Sequence, residues 1–338
     1  MKNVVVLGAT GTLGLPIARY LHDHGYHVWA VGHSENGRKY FEKLGISYSV
    51  FSIEDTESFR CLPQQNVDAV VNYAGALPAV IGEGVSNLIY PDTIVRGVIN
   101  VLEYMRTVGC KKLVFPQSVF DIHPLFGTKT PIPADAPRVN AFTGDHAIYV
   151  TCKNAAVDII RYYENTYGIR GVIVRTSGVY TYHPRPYILE NTKMRLKSER
   201  VVIHRVRRGL PIEIWGDPDR VLESISVDDY AQVVEKAIAK EDVSGIFNAG
   251  SGGTTLRERL LTIREVFAPE GSLPEVTYCP EKMNCFQYVF DISKTKEVLG
   301  YEPACLWRQY CENLKRHMEE QPEREIWGTF EQYEHLLE

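Results

Sequence analysis

The stretch that decides the fold is VVVLGATGTLG, residues 4–14. Its apolar run at residues 4–7 predicts a buried strand, and residues 13–24 have the apolar spacing of a helix. In such a loop one glycine permits the tight turn, one lets the backbone approach a pyrophosphate, and one allows helix and strand to pack closely. Strand, glycine loop and helix in this order predict a dinucleotide site, with phosphates at the helix N-terminus.

The rest of the first half alternates short β-rich runs with helical segments. This alternation predicts βαβ units, and therefore an α/β doubly wound Rossmann fold with a parallel sheet and right-handed crossovers. Strands are predicted at residues 4–7, 27–31, 47–51, 69–72, 112–115, 172–176 and 245–248, and helices at 13–24, 37–44, 90–108, 147–167 and 226–240.

The alternation stops after Val179. Residues 180–208 are rich in proline, tyrosine and basic side chains, and short strands are predicted at 211–215 and 275–278. We expect a smaller, interwoven C-terminal substrate-binding region over the carboxyl edge of the sheet, where doubly wound folds bind ligands. The predicted division assigns residues 1–178 and 221–250 to the dinucleotide-binding Rossmann domain, and residues 179–220 and 251–338 to the substrate-binding region.

Composition is that of an ordinary globular protein. The 338 residues are 44% hydrophobic and 23% charged, with a net charge of −5, which argues against nucleic acid or an anionic membrane as the main partner. No apolar run reaches the length of about 18 residues that spans a bilayer, and the N-terminus lacks the pattern of a signal peptide. The seven cysteines are scattered without metal-ligand or Cys-x-x-Cys spacing. We therefore expect a soluble cytoplasmic protein with free thiols and no metal site.

Tyr149 and Lys153 are the main candidates for acid–base chemistry. Their i, i+4 spacing places both on one face of a helix, where the ammonium group favours the phenolate form. A phenol of lowered pKa can relay a proton to or from a substrate hydroxyl. Tyr278 and Lys282 have the same spacing but flank Pro280 in an irregular stretch, so location favours the first pair.

Several segments, in a fixed order, resemble the extended short-chain dehydrogenase/reductase family, also called the NAD-dependent epimerase/dehydratase family. The resemblance covers nearly the whole chain and includes the glycine spacing and the Tyr149–Lys153 pair. The other matching segments are VDAVVNYAG at 67–75, residues 97–115, RTSGVY at 175–180, VDD at 227–229, DISK at 291–294 and LGYEP at 299–303.

The resemblance implies NAD or NADP as cofactor, a homodimer built on helices 90–108 and 147–167, and catalysis by Ser118, Tyr149 and Lys153. Ser118 would bind the reacting oxygen; the alternative is a turn serine with a local backbone bond. Predicted substrate-binding residues are Ser118, Tyr180 and Arg220. Predicted cofactor-binding residues are Gly8, Thr10, Gly11, Thr12, Leu13, Gly14, His33, Arg38, Ser52, Ile53, Tyr73, Ala74, Gly75, Tyr149, Lys153 and Thr176.

Three departures from the family pattern narrow the chemistry. Ile94 stands where the family often has Asn, and Asn72 is either a substitute or a simple strand-end residue. Val119 and Phe120 replace the Asp-Glu pair of sugar-nucleotide 4,6-dehydratases, which disfavours dehydration.

Leu222 stands where many nucleotide-sugar enzymes place a diphosphate-gripping Arg, and Arg220 is an alternative. A run of basic residues either forms a solvated face or includes one or two contacts to an anionic substrate. The run comprises Lys193, Arg195, Lys197, Arg200, Arg205, Arg207 and Arg208.

The second strand ends without the acidic residue that usually binds the ribose of NAD. Gly32 takes its place, and His33, Ser34, Arg38 and Lys39 follow, which weakly favours NADP unless the two cations only face solvent. His146 and His183 are each either a second acid–base group or ordinary surface residues.

The leading hypothesis is an NAD(P)-dependent sugar epimerase, with the sugar linked to a nucleotide, that works by transient oxidation of a secondary alcohol. The second is an NAD(P)H-dependent dehydrogenase or ketoreductase on a sugar, steroid-like or other secondary alcohol. The third is a non-catalytic dinucleotide-sensing protein, which the retention of both Tyr149 and Lys153 disfavours.

Overall fold

The computed structural model describes residues 1–338. Short 3₁₀ segments and two π-helical segments, Pro91–Arg96 and Thr295–Leu299, join the regular elements. No helix combines the length and the apolar character needed to cross a membrane. The strands are β1 (Asn3–Leu7), β2 (His27–Gly32), β3 (Ser47–Val50), β4 (Ala69–Asn72), β5 (Lys112–Ser118), β6 (Arg170–Thr176), β7 (Gly178–Tyr180), β8 (Tyr187–Glu190), β9 (Lys193–Leu196), β10 (Ile212–Trp215), β11 (Val221–Leu222), β12 (Ser224–Ser226), β13 (Gly245–Ala249), β14 (Thr254–Thr255) and β15 (Val276–Cys279). The helices are α1 (Gly14–Asp23), α2 (Arg38–Lys43), α3 (Gly97–Val108), α4 (Ala147–Tyr167), α5 (Ser198–Arg207), α6 (Val227–Ala239), α7 (Leu256–Phe267), α8 (Trp307–Glu320) and α9 (Arg324–Trp327).

Seven parallel strands form the main sheet, in the order β13-β6-β5-β4-β1-β2-β3. Strand β1 pairs with both β2 and β4, so Leu7 lies opposite Val31 on one side and Asn72 on the other. The order of the strands reverses between β1 and β4, and their carboxyl ends open a crevice there. The predicted α/β doubly wound fold is confirmed.

Both faces of the sheet are covered by helices, as a parallel sheet requires. Helices α3 and α4 pack on one face around Val98, Val157 and Ile160, and helices α1 and α6 pack on the other around Leu15, Ile17 and Val234. The near-continuous apolar runs of the strands follow from this burial on both sides.

Two predicted elements differ from the structure. The fifth strand was predicted to end at Phe115, before Pro116. It instead continues to Ser118, which pairs with Thr176 of β6, so Ser118 ends the strand rather than following it. The helix expected over residues 90–108 begins as a π-helical segment, Pro91–Arg96, and becomes regular only in α3.

The region after Val179 has a hydrophobic core of its own, built mainly from α5, α7 and α8. None of these three helices was predicted, although the strands β10 and β15 were. Tyr182, Ile203, Trp307 and Leu314 are buried in this core.

Residues 321–338 return from this region to the N-terminal half; we call them the C-terminal strap. Within it the Trp327 indole N–H donates to the carbonyl oxygen of Thr10 at 3.0 Å. Glu323 pairs with Arg19 of α1 at 3.0 Å. The strap therefore packs on the body of the protein and contacts the glycine loop itself.

Candidate active site

The glycine loop follows β1 at the crevice and has the shape that a pyrophosphate requires. Gly8 has φ +78°, and a Cβ atom at Gly14 would lie 2.1 Å from the Gly8 carbonyl oxygen. The N–H groups of Thr12 and Leu13 make no hydrogen bond within the protein. Glycines at the close approaches of this loop, together with free N–H groups at the start of α1, fit the phosphates of a dinucleotide.

The turn after β4 forms the opposite wall of the crevice. The Asn72 side chain accepts the N–H of Ala74 at 3.1 Å and so shapes the turn, which is the strand-end role. Gly75 has φ +147° and lies beside Ile94 of the π-helical segment. The hydroxyl of Tyr73 bonds to that of Tyr230 at 2.9 Å, which links this wall to α6.

The end of β2 bears on the choice between NAD and NADP. A Cβ atom at Gly32 would lie 2.3 Å from the Tyr48 hydroxyl, so this position has no room for a ribose-binding carboxylate. His33 is exposed. Arg38 is not a free cation, because it pairs with Glu35 at 2.5 Å. The preference for NADP therefore stays a prediction.

Two other predicted cofactor residues follow β3. The Ser52 hydroxyl donates to Glu54 at 2.8 Å. Ile53 is buried against Gly97 at the start of α3, and its carbonyl accepts from Asn100 at 3.0 Å. Ile53 thus packs the wall of the crevice.

Tyr149 and Lys153 lie in the first turns of α4, both buried. The Lys153 ammonium donates to the carbonyl oxygen of Pro116 at 3.0 Å, two residues before Ser118. This bond fixes α4 against the end of β5 and brings the predicted catalytic residues to the same edge of the sheet as the glycine loop.

The expected lowering of the Tyr149 pKa is wrong for the protein alone. Burial, with a smaller contribution from Tyr90, raises the pKa of Tyr149 above its usual value. Burial also lowers the pKa of Lys153 to about 7, so its charge is only partial near neutrality. Tyr149 is therefore positioned but not activated by Lys153 alone.

Ser118 is held by a chain of side-chain amides. Its backbone N–H donates to the side-chain oxygen of Gln117 at 2.9 Å, and the side-chain NH₂ group of Gln117 donates to the side-chain oxygen of Asn154 in α4 at 2.9 Å. The Ser118 hydroxyl accepts the N–H of Phe120 at 3.2 Å, so the local backbone bond of the alternative interpretation is present. This bond uses only the oxygen, and the hydroxyl proton is left to donate to a substrate.

A histidine–carboxylate pair next to this site was not predicted. His146 Nδ1 lies 2.6 Å from Asp145, whose other oxygen accepts the N–H of Asn191 at 3.1 Å. The His146 ring stacks on Phe120 at 4.1 Å and meets Tyr149 edge-on. The sequence signal that could have predicted this pair is the neighbouring Asp145 and His146, four and three positions before Tyr149. His146 therefore lines the site, whereas His183 stacks on Trp327 of the strap.

The predicted substrate residues are less well placed. Tyr180 packs between Trp307 and Tyr310 and accepts a hydrogen bond from Arg259, so it belongs to the second core. Arg220 has a buried Nε without a partner. Thr176 ends β6 and donates to the Ser177 carbonyl at 3.2 Å. No group of three or more His, Cys, Asp or Glu side chains is placed to hold a metal ion.

Comparison with known proteins agrees with this geometry. The model of the NAD dependent epimerase/dehydratase family matches residues 4–250. A putative UDP-glucose 4-epimerase of Methanocaldococcus jannaschii is 25% identical over 303 residues, which cover 89% of this chain and 93% of that protein.

Solved structures share the fold. The UDP-glucose 4-epimerase of Thermotoga maritima, determined with UDP-glucose, has a TM-score of 0.71 at 21% identity, covering 94% of this chain and 99% of that one. The UDP-glucose 4-epimerase of Thermus thermophilus, determined with NAD, has a TM-score of 0.67 at 22% identity, covering 93% and 98%.

Proposed function

Because the chain belongs to the NAD-dependent epimerase/dehydratase family, we propose that it is an NAD(P)-dependent epimerase of a nucleotide-linked sugar. One observation supports this more than any other. The glycine loop after β1 and the Tyr149–Lys153 pair on α4 meet at one edge of the sheet, where a dinucleotide and an alcohol can be held together.

In this proposal the loop of Gly8, Gly11 and Gly14 and the turns after β2 and β4 would hold the cofactor. When bound, its nicotinamide ring takes up a hydride and gives it back. Ser118 would donate a hydrogen bond to the reacting oxygen of the substrate. Tyr149, in the phenolate form that the positive charges of Lys153 and of the bound nicotinamide together favour, would take the proton of the substrate hydroxyl and later return it. The Lys153 ammonium, which the bond to the Pro116 carbonyl holds in place, lies 5.8 Å from the centre of the Tyr149 ring.

The sugar-nucleotide part of the proposal draws on relatives of nearly full length. Besides the Methanocaldococcus protein, a UDP-glucose 4-epimerase of Lacticaseibacillus casei is 23% identical over 89% of this chain and 92% of its own length. An epimerase returns the hydride to its substrate, so it needs no second substrate to regenerate the cofactor.

A dehydrogenase or ketoreductase of a secondary alcohol is the second candidate. The observation that favours it is the segment before α6, where Leu222 replaces a cation and Glu223 is buried. Glu223 accepts the backbone N–H groups of Ser251 and Phe290 at 3.0 and 2.9 Å, so it is structural. A diphosphate would have to be bound elsewhere.

We propose that residues 1–178 and 221–250 bind the cofactor and that residues 179–220 and 251–338 bind the substrate. We further propose a cytoplasmic homodimer formed through α3 and α4. Ile148, Tyr162 and Tyr167 of α4 are exposed large side chains in support of that interface. The seven cysteines are free thiols, as is usual in a reducing compartment.

The test combines cofactor analysis with turnover. Purified protein is denatured and any released nucleotide is identified, and the native protein is then given UDP-glucose or UDP-galactose with catalytic NAD. We expect interconversion of the two sugars without net NADH, and its loss in Tyr149→Phe. Stoichiometric NADH or NADPH formation or consumption would establish the dehydrogenase instead.

A further inference from the structure

The basic residues of segment 193–208 fall into two groups. Five of them point outward: Arg195 pairs with Glu190 at 3.1 Å, Arg208 lies 3.7 Å from Glu338, and the others are exposed. Lys197 and Arg200 differ, because they turn toward the interior of the substrate region. The outward residues are Lys193, Arg195, Arg205, Arg207 and Arg208.

Arg200 is a buried cation with unsatisfied donors. The residue is only 2% exposed, and one guanidinium nitrogen donates to the carbonyl oxygen of His183 at 2.9 Å. Its Nε and Nη1 atoms are buried without any hydrogen-bond partner. The hydroxyl of Tyr182, whose ring lies 5.9 Å from the guanidinium carbon, is also unpartnered.

Two further cations share this surrounding. The Nε of Arg185 is buried without a partner, and the backbone N–H of the same residue donates to His183 Nδ1 at 3.1 Å. The backbone N–H of Lys197 donates to the carbonyl oxygen of Pro186 at 2.8 Å, which joins Lys197 to the same segment. None of Arg185, Lys197 and Arg200 has a carboxylate oxygen within 4.0 Å, so none takes part in an ion pair.

The electrostatics agree with the geometry. Burial, together with repulsion from the neighbouring cations, lowers the pKa of Lys197 to about 8 and that of His183 to about 3. Glu199 is the one acidic group that raises the Lys197 pKa, and it does not offset burial. The segment therefore concentrates positive charge that no carboxylate neutralises.

Buried polar groups in folded proteins are almost always paired, and an unpaired buried cation is especially costly. Such a cluster is stabilised when an anion with several acceptor oxygens supplies the missing partners, as phosphate does for arginine. We propose that Arg185, Lys197 and Arg200 form a binding site for a phosphate group.

The position of this cluster suggests where the phosphate comes from. His183, which bonds to both arginines, stacks on Trp327 at 5.0 Å, and Trp327 in turn bonds to Thr10 of the glycine loop. The cluster is therefore connected to the cofactor loop through the stacked rings of His183 and Trp327. The phosphate belongs either to the dinucleotide or to a nucleotide-linked substrate. Both of these sources rest on the function proposed above, whereas the binding of a phosphate group to the cluster does not.

Inorganic phosphate is the first probe, because its binding requires neither turnover nor a known substrate. Melting temperatures are measured in phosphate and in chloride at equal ionic strength for the wild type, Lys197→Gln, Arg200→Met and the control Lys193→Gln. We expect phosphate to raise the melting temperature of the wild type and the control but not of the two cluster variants. In chloride, Arg200→Met should melt no lower than the wild type, since it removes an unpaired buried charge.

Titration calorimetry with UDP, NAD and NADP then identifies the source. Loss of one charge-assisted bond is expected to weaken binding by about 10- to 100-fold. A loss confined to UDP assigns the site to the substrate, and a loss for NAD or NADP assigns it to the cofactor. If the wild type binds no nucleotide, the proposed function fails while the phosphate result still decides the site.

Equal phosphate responses in Lys197→Gln and Lys193→Gln, or no response in the wild type, would overturn the proposal. The Lys197 variant keeps this test decisive even if Arg200→Met does not fold, because Lys197 lies nearer the surface.

Discussion

The buried ammonium group of Lys153 is predicted to lower the free energy of unfolding of the protein. Its side chain is buried, and burial lowers its pKa from 10.5 to about 7. At about 1.4 kcal/mol per pH unit, this difference destabilises the folded state by about 5 kcal/mol where the buried ammonium is charged. The change Lys153→Met removes that charge and keeps an unbranched side chain that is one atom shorter.

The expected gain is smaller than this figure, because the bond to Pro116 is lost. Allowing about 1 kcal/mol for the bond and a further 1–2 for repacking, we expect Lys153→Met to be more stable by about 2–3 kcal/mol at pH 6. For a chain of this size that is a rise in melting temperature of roughly 5 °C. Turnover should be lost.

The gain must depend on pH in one direction. Below pH 7 the lysine is protonated in both the folded and unfolded states, so the full cost of burial is present. Between about pH 7 and 10.5 the folded state loses its proton first, and the wild type gains stability relative to the variant. The melting temperatures of the wild type and of Lys153→Met, followed by circular dichroism at pH 6, 7, 8 and 9, should therefore converge as the pH rises.

Lys112 provides the matched control. It is also buried, and burial lowers its pKa to about 8, but its ammonium donates to the carbonyl oxygens of Lys240 and Val243 at 2.7 and 2.6 Å. Lys112→Met leaves both carbonyls unpaired, so this variant should melt lower than the wild type. A Lys153→Met variant that melts at or below the wild type at pH 6, or by a margin independent of pH, would refute the reasoning.

Three further sets of variants test the phenol, the glycine loop and the buried ion pair of the core. Tyr149→Phe keeps the buried ring and should lower the rate of sugar interconversion at least about 100-fold, with a melting temperature close to that of the wild type. Gly14→Ala places a Cβ atom 2.1 Å from a backbone oxygen and should abolish NAD binding in calorimetry, whereas Gly82→Ala, which meets open space, should not. Arg175 and Asp121 form a fully buried ion pair at 2.9 Å. Arg175→Met or Asp121→Asn alone should each cost about 3–5 kcal/mol in urea unfolding, and the double variant should cost less than the sum.

The Rossmann half was predictable because each of its elements carries a local signal. Strands buried on both faces are continuous apolar runs, and glycines with positive φ, such as Gly109 after α3 and Gly168 after α4, mark where helices end. The position of the glycine loop followed from strand, turn and helix in sequence. Tyr149 was located by its place in that order and not by its spacing to Lys153.

The substrate region was harder because its contacts are distant in sequence. Helix α5 carries so many basic residues that it resembles a solvated segment, and only the fold shows that Arg200 is buried while Arg207 is exposed. The strand β5 continues through Pro116 because its pairing with β4 ends at Val114, so from there on it is paired on one side only, with β6. The pKa of Tyr149 depends on burial, which the spacing of two residues does not report.

The bond between Trp327 and Thr10 joins residues 317 positions apart in the chain. Chains fold from the N-terminus as they are synthesised, so β1 and the glycine loop exist long before their partner in the strap. Contacts of such sequence separation form late, because a long loop must close first. The cofactor loop of the nascent protein therefore lacks its contact with Trp327 until the substrate region has folded. The two binding regions are joined last, after both have been synthesised.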